Sequence, residues 1–81
     1  MAKIEIYTRP GCGYCAQAKQ LLANKGLEFV EYDVFQYPEN LKTMQNRTNG
    51  RTFPQIFIED KLIGGYTDLL SHKYHGLFTN N

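Results

Sequence analysis

The sequence predicts an α/β fold of four strands and three helices in the order β-α-β-α-β-β-α, with a central mixed sheet flanked by helices. Two observations carry this prediction. Strand-like alternation gives way twice to helical spacing, and two short strand patterns then follow around a tight turn. Strands that alternate with helices form a parallel part of a sheet, and a hairpin adds antiparallel strands. The 81 residues, 42% of them apolar, suffice for one packed domain over residues 1–81.

The first strand and the first helix have the plainest patterns. Residues 3–8, KIEIYT, alternate with the period of a strand. From Tyr14 the spacing becomes helical, and Gly26 follows as the residue that ends the helix. One stripe of that helix consists of Tyr14, Ala18, Leu21 and Lys25, with Cys15 and Leu22 beside it.

The remaining elements are defined by their Pro, Gly and Asn residues. Residues 27–34 form a second strand, and residues 38–49 a second helix with Pro38 near its start and Asn49 and Gly50 at its end. Its expected inward residues are Leu41, Met44 and Thr48. Residues 55–59 and 62–63 form a hairpin around a turn at residues 60–61, and a short helix starts at about Thr67.

Charge and hydropathy exclude several function classes. Nine Lys and Arg against eight Asp and Glu give a net charge of +1 without a basic block, so we expect no nucleic-acid partner. The apolar runs are too short for a membrane span, and the N-terminus lacks the pattern of a signal peptide. We therefore expect a cytoplasmic, soluble monomer without a membrane partner.

The two cysteines, Cys12 and Cys15, stand where the first strand pattern ends and the first helix begins. In a reducing compartment such a pair is redox-active or metal-binding more often than structural. A helix N-terminus and the nearby Arg9 stabilise a thiolate and lower the pKa of Cys12, whereas Cys15 lies one turn further in. A low pKa also makes Cys12 a good leaving group. We expect Cys12 to be the attacking nucleophile and Cys15 the resolving thiol of an exchange catalyst.

A zinc site is the metal-binding alternative. His72 and His75 would complete a Cys₂His₂ set, but only two residues separate them, fewer than is usual in such sites. Surface histidines are the simpler interpretation, and no resident metal is predicted.

Three stretches together, CGYC at residues 12–15, TFPQIFI at 52–58 and GGYTDLL at 64–70, resemble the dithiol glutaredoxins, which have a thioredoxin-like fold. Thioredoxins themselves expect a tryptophan before the first cysteine, and this chain has none. The resemblance covers the whole chain and is in particular to the short bacterial members of the family. It implies a glutathione-dependent thiol–disulfide oxidoreductase that reduces glutathione mixed disulfides and protein disulfides.

The resemblance also implies a glutathione site. Phe53-Pro54 would be a cis peptide facing the thiols, and the Phe53 backbone would pair with the cysteinyl part of glutathione. Thr67 and Asp68 would hold its γ-glutamyl end, and Arg9 its glycyl carboxylate. The full implied set is Arg9, Tyr14, Thr52, Phe53, Pro54, Gly65, Tyr66, Thr67 and Asp68, with Tyr14 bordering the sulfur and Thr52 supporting the loop.

Other interpretations stay open at this point. Arg9 can be a solvated cation, Tyr14 a rim aromatic, Thr67 and Asp68 a plain helix cap, and Pro54 an ordinary trans residue. Gln55, Arg47 and Arg51 cannot be separated from surface residues. Gly13 stands where such proteins commonly have proline, so a glutathione-ligated [2Fe–2S] dimer is one alternative function. A thioredoxin- or redoxin-like donor reduced directly by a flavoprotein is another, and ribonucleotide reductase is a candidate protein substrate.

Overall fold

The structure, a computed structural model, describes residues 3–72. Its element order is the predicted one, β-α-β-α-β-β-α. The strands are β1 (Ile4–Thr8), β2 (Val30–Asp33), β3 (Gln55–Ile58) and β4 (Lys61–Gly64), and the helices are α1 (Gly13–Asn24), α2 (Pro38–Arg47) and α3 (Tyr66–Ser71). His75 of the zinc alternative lies outside the described residues. Within residues 3–72, no helix has the length and apolar character needed to cross a membrane.

The four strands form one mixed sheet in the order β2-β1-β3-β4. β1 pairs in parallel with β2 and antiparallel with β3, and β3 pairs antiparallel with β4. Every residue of the two central strands is buried, because helices cover both faces of the sheet. This arrangement confirms the predicted α/β class and the central four-stranded mixed sheet.

Alternation along the central strands separates two clusters of buried side chains. Ile4, Ile6, Ile56 and Ile58 pack with α1 and α3 on one face of the sheet. Tyr7 and Phe57 point to the other face, where they pack with Val34 and with Met44 of α2. The inward position of Met44 is as predicted. Helices α1 and α3 therefore lie on one side of the sheet, and α2 lies on the other.

Helix α1 ends where the sequence predicts, and its buried residues come from both of the adjacent rows that the spacing marks. Gly26 has φ +72°, and the N–H of Leu27 donates to the Leu22 carbonyl at 3.0 Å, the arrangement of a glycine-terminated helix. The buried side chains are Cys15, Ala18 and Leu22, whereas Tyr14 is 60% exposed. Of the two adjacent rows that the spacing marks, Cys15, Ala18 and Leu22 pack against the sheet, and Tyr14 is left exposed.

Several element boundaries differ from the sequence prediction. β2 covers Val30–Asp33 rather than residues 27–34, because only that part has a partner on β1. α2 ends at Arg47, since Thr48 is already extended with φ −155°. The hairpin turn lies at Glu59 and Asp60, both with positive φ, one residue earlier than predicted. That shift lets Lys61 pair with Ile58.

Candidate active site

The two cysteines lie at the N-terminal end of α1. Cys12 is the N-cap of the helix, with extended backbone, and Cys15 lies in the first turn. The pair forms a disulfide with 5.2 Å between the Cα atoms. The N–H of Cys15 donates to Cys12 Sγ at 3.1 Å, so a helix N–H already points at the sulfur that was predicted to become a thiolate.

The two sulfurs have different surroundings. Cys15 is only 2% exposed and belongs to the buried face of α1, whereas Cys12 is partly exposed. Cys12 Sγ lies 3.6 Å from the carbonyl oxygen of Phe53, which can accept a weak hydrogen bond when Cys12 is a thiol. An incoming disulfide therefore meets Cys12 first, and Cys15 is shielded behind it.

The Phe53-Pro54 peptide is cis, as the resemblance implied, and comes just before β3. β3 runs antiparallel to β1, with Gln55 opposite Tyr7, so the segment before β3 lies beside the loop that follows β1. That loop contains Arg9 and Cys12. Sheet register thus brings Phe53 to the thiols across the sequence.

An open cleft of about 500 Å³ lies at this end of the sheet. All nine residues of the implied glutathione set line it, together with Arg51. The lining residues are Arg9, Tyr14, Arg51, Thr52, Phe53, Pro54, Gly65, Tyr66, Thr67 and Asp68. Sequence reasoning left Arg51 unassigned; its place directly before Thr52-Phe53-Pro54 was the available signal.

Charged groups of both signs line the cleft. The Arg9 guanidinium lies over the Phe53 ring, 5.6 Å from its centroid. On the α3 side, Asp68 Oδ2 accepts a hydrogen bond from the N–H of Gly65 at 2.9 Å, so its carboxylate is fixed against the first turn of α3. A zwitterionic peptide with further carboxylates would find cations by Phe53 and an anion by Gly65.

Two tyrosines join the helices that flank the cleft. The rings of Tyr14 on α1 and Tyr66 on α3 stack with centroids 5.9 Å apart and an interplanar angle of 22°. Tyr14 remains 60% exposed, so the pair offers an aromatic rim rather than core packing.

Comparison with known proteins decides the family. The glutaredoxin family model matches residues 4–63, which include both cysteines and the cis Phe53-Pro54 peptide. The chain belongs to the glutaredoxin family. Its members use glutathione as reductant, and membership together with the Cys12–Cys15 pair supports thiol–disulfide oxidoreductase activity.

Individual glutaredoxins resemble this chain over most of its length. Glutaredoxin 3 of Escherichia coli strain K12 is 44% identical over 69 residues, which span 85% of this chain and 83% of that protein. The solution structure of the Brucella melitensis glutaredoxin is 54% identical with a TM-score of 0.71, covering 88% of this chain and 77% of that one. A crystal structure of a buckwheat glutaredoxin–glutathione complex is 25% identical with a TM-score of 0.75, covering 90% and 67%.

Gln55 of this glutaredoxin was not separable from surface residues in the sequence, yet it is only 4% exposed. Its Nε2 donates to the carbonyl of Thr52 at 2.8 Å and to the Thr52 hydroxyl at 3.2 Å. Thr52, expected to support the loop before Pro54, is therefore itself held by hydrogen bonds from a buried side chain. The polar side chain at the start of an otherwise apolar strand was the signal in the sequence.

Arg47 of this glutaredoxin is also placed away from the cleft, in an ion pair on the α2 face of the sheet. Its guanidinium donates to Glu5 Oε1 at 2.9 Å and Oε2 at 3.1 Å, and to the Tyr7 hydroxyl at 2.9 Å. It also lies 4.0 Å from the Phe57 ring centroid. The hydrogen bonds from Arg47 lower the pKa of Glu5 although burial opposes this, and the pKa of Arg47 is raised by the same bonds. The pKa of Tyr32, which donates to Glu5, is raised mainly by burial.

Metal ligands are sparse in the part of this glutaredoxin that the structure describes. Over residues 3–72, no group of three or more His, Cys, Asp or Glu side chains is close enough together to hold a metal ion. The cluster-binding alternative that Gly13 raised therefore gains no support from the described side chains.

Proposed function

We propose that this glutaredoxin is a glutathione-dependent thiol–disulfide oxidoreductase. The observation that carries the proposal is the position of Cys12 Sγ, 3.6 Å from the carbonyl oxygen of Phe53, a residue that lines the cleft together with Arg9. A glutathionyl group in that cleft would have its sulfur beside the more exposed thiol. The buckwheat glutaredoxin, a complex with glutathione, supports the same choice of ligand.

The exchange step follows from the two cysteine environments. The Cys12 thiolate attacks the glutathionyl sulfur of a mixed disulfide, forms a Cys12–glutathione disulfide, and displaces the substrate thiolate, which takes up a proton from water. The N–H of Cys15 stabilises the negative sulfur before attack and again when Cys12 leaves. A second glutathione thiolate then attacks the glutathionyl sulfur of that disulfide, releases Cys12 and forms glutathione disulfide.

Each part of glutathione has a proposed partner in the cleft. Arg9 meets the glycyl carboxylate, and Arg51, on the same cleft, adds positive charge. The Phe53 backbone pairs with the cysteinyl residue in the manner of an added strand. The γ-glutamyl end is held by the N–H groups at Thr67 and by the Asp68 carboxylate. The remaining lining residues, Tyr14, Thr52, Pro54, Gly65 and Tyr66, complete the walls.

The reduction of protein disulfides uses both cysteines of the pair. Cys12 forms a mixed disulfide with one substrate sulfur, and Cys15, one helical turn away, attacks Cys12 Sγ to give the Cys12–Cys15 disulfide and release the reduced protein. Glutathionylated and disulfide-containing proteins are the proposed substrates. Four further points stay predictions from the sequence: ribonucleotide reductase as one of these substrates, a cytoplasmic location, the monomeric state and a single domain over residues 1–81.

The test is the reduction of a glutathionylated peptide, coupled to NADPH through glutathione reductase. Wild type and Cys15→Ser are expected to be active, because attack and release at Cys12 need one thiol only. Cys12→Ser is expected to be inactive. An inactive wild type would remove glutathione from the mechanism, and reduction by a flavoprotein without glutathione would then identify a redoxin-like donor instead.

A further inference from the structure

The segment between α2 and β3, residues 48–54, forms one wall of the cleft. It contributes Arg51, Thr52, Phe53 and Pro54 to the lining, and its Phe53 carbonyl is the group that lies beside Cys12 Sγ. Nothing in the segment belongs to a regular helix or strand. Its shape must therefore be fixed by side chains rather than by a backbone ladder.

Gln55, the first residue of β3, is buried, and its side chain holds this segment in place. One end of its amide, Nε2, donates to the carbonyl and to the hydroxyl of Thr52 at 2.8 and 3.2 Å. The other end, Oε1, accepts from the Thr48 hydroxyl at 3.5 Å. That hydroxyl in turn accepts from the N–H of Gly50 at 2.9 Å. One buried amide thus joins both ends of the turn at residues 48–52.

Gly50 shows how closely the segment lies on this amide. A Cβ atom added at Gly50 would stand 2.7 Å from both Gln55 Nε2 and Gln55 Oε1, closer than real Cβ contacts. Glycine at this position lets the backbone of the turn rest directly on the amide. A buried amide in these contacts also contrasts with the rest of β3, which continues with three apolar residues, Ile56, Phe57 and Ile58.

We propose that Gln55 is a positioning residue for recognition of the glutathionyl group, acting through Thr52 on the orientation of the Phe53 backbone. This inference rests on the proposed function, because the wall that Gln55 holds is the proposed cysteinyl-binding edge. Gln55 contacts Thr52 of the cleft wall but does not itself line the cleft. Removing the Gln55 amide should therefore lower the rate of reaction with a glutathionyl disulfide and leave the reactivity of Cys12 intact.

The experiment compares two disulfides of one peptide, one with glutathione and one with cysteamine, which lacks both carboxylates and the peptide bonds. The second-order rate constant for release of the peptide thiol by the reduced protein is measured for each, and their ratio reports recognition alone. Two variants disturb the same contact from opposite sides. Gln55→Met keeps the length of the side chain but removes its hydrogen bonds, and Gly50→Ala pushes the amide away while every polar group stays.

Ile58→Val is the control for general loss of stability, because Ile58 lies at the other end of the same strand and is buried in the cluster of Ile4, Ile6 and Ile56. In both Gln55→Met and Gly50→Ala the ratio is expected to fall about tenfold, the scale of one or two neutral hydrogen bonds. The rate with the cysteamine disulfide should stay within about twofold of wild type. Ile58→Val should leave the ratio unchanged.

Two outcomes overturn the inference. Rate constants that stay unchanged for both disulfides in both variants would mean that the segment keeps its shape without Gln55. Equal losses with both disulfides would mean that the amide supports folding only. A third outcome separates the two proposals: if wild type itself shows no preference for the glutathionyl peptide, glutathione recognition fails, and the role of Gln55 falls with it.

Discussion

Cys12 Sγ lies 3.6 Å from the carbonyl oxygen of Phe53, although the two residues are 41 positions apart in the chain. The contact exists because β3 runs antiparallel to β1, which returns the segment before β3 to the loop after β1. A reactive sulfur on a helix cap thereby faces a backbone edge. The proposed exchange chemistry at Cys12 and the proposed recognition of glutathione by the Phe53 backbone thus come from different parts of the chain and meet at this contact.

Thiol reactivity should divide unequally between the two cysteines. Cys12 is partly exposed and receives an N–H, whereas Cys15 is 2% exposed, so limiting iodoacetamide should alkylate the reduced protein at Cys12 at least about tenfold faster than at Cys15. Peptide mapping by mass spectrometry measures the two sites. Cys15→Ser should keep the fast site and Cys12→Ser should lose it; equal labelling of both sites in wild type would contradict this order.

Arg9 should contribute to substrate binding more than to the exchange step. Arg9→Gln removes the guanidinium that lies over Phe53 in the cleft, and the KM for a glutathionylated peptide is expected to rise about fivefold with kcat within about twofold. Lys42→Gln, an exposed residue of α2 outside the cleft, removes the same charge and is the control. If both variants raise KM equally, overall charge rather than the cleft cation is responsible.

The Glu5–Arg47 ion pair predicts a pH dependence of stability. The Arg47 hydrogen bonds hold the pKa of Glu5 below that of an unfolded glutamate, about 4.3, so the stabilisation is complete above that pH. As the pH falls further, the unfolded chain binds the proton first, and the stabilisation is lost through the pKa of the folded state. Glu5→Gln should therefore cost about 2 kcal/mol at pH 7, and its difference from wild type should shrink as the pH is lowered below 4.

Urea unfolding at pH 7, 5 and 3.5 measures this difference. Glu31→Gln is the matched control, because it removes an exposed ion pair with Lys19 while its amide oxygen can still accept from the Thr8 hydroxyl, so it should cost under about 1 kcal/mol at each pH. A Glu5→Gln deficit that stays constant from pH 7 to 3.5 would show that Glu5 acts through packing and not through its charge.

Two glycines should respond oppositely to alanine. Gly64 has φ +122°, and a Cβ there would overlap the Asp68 carboxylate, so Gly64→Ala should lower the free energy of unfolding by at least about 2 kcal/mol. Gly13 is helical with open space around an added Cβ, and Gly13→Ala should raise it by about 0.5 kcal/mol. Thermal unfolding compares them; similar effects of the two changes would refute the conformational argument.

The local elements followed from the sequence because their signals are local. The strand period of residues 3–8 and the glycine at position 26 each act within a few residues, and both appear in the structure where expected. Where the outcome depends on contact with another element of the fold, the prediction was less exact. The length of β2 depends on its pairing with β1, and the exposure of Tyr14 depends on which row of α1 meets the sheet.

The fold class, the Cys-x-x-Cys pair at a helix start and the family resemblance are determined by the sequence itself, since period, capping and motif spacing are properties of neighbouring residues. Tertiary structure decided the positions of Gln55, Arg47 and Arg51, which look alike as polar residues in the sequence. Strand register buries Gln55 under Thr52, carries Arg47 to Glu5, and leaves Arg51 on the cleft. The physical reason is that burial and charge pairing depend on which distant strands meet, and no local pattern contains that information.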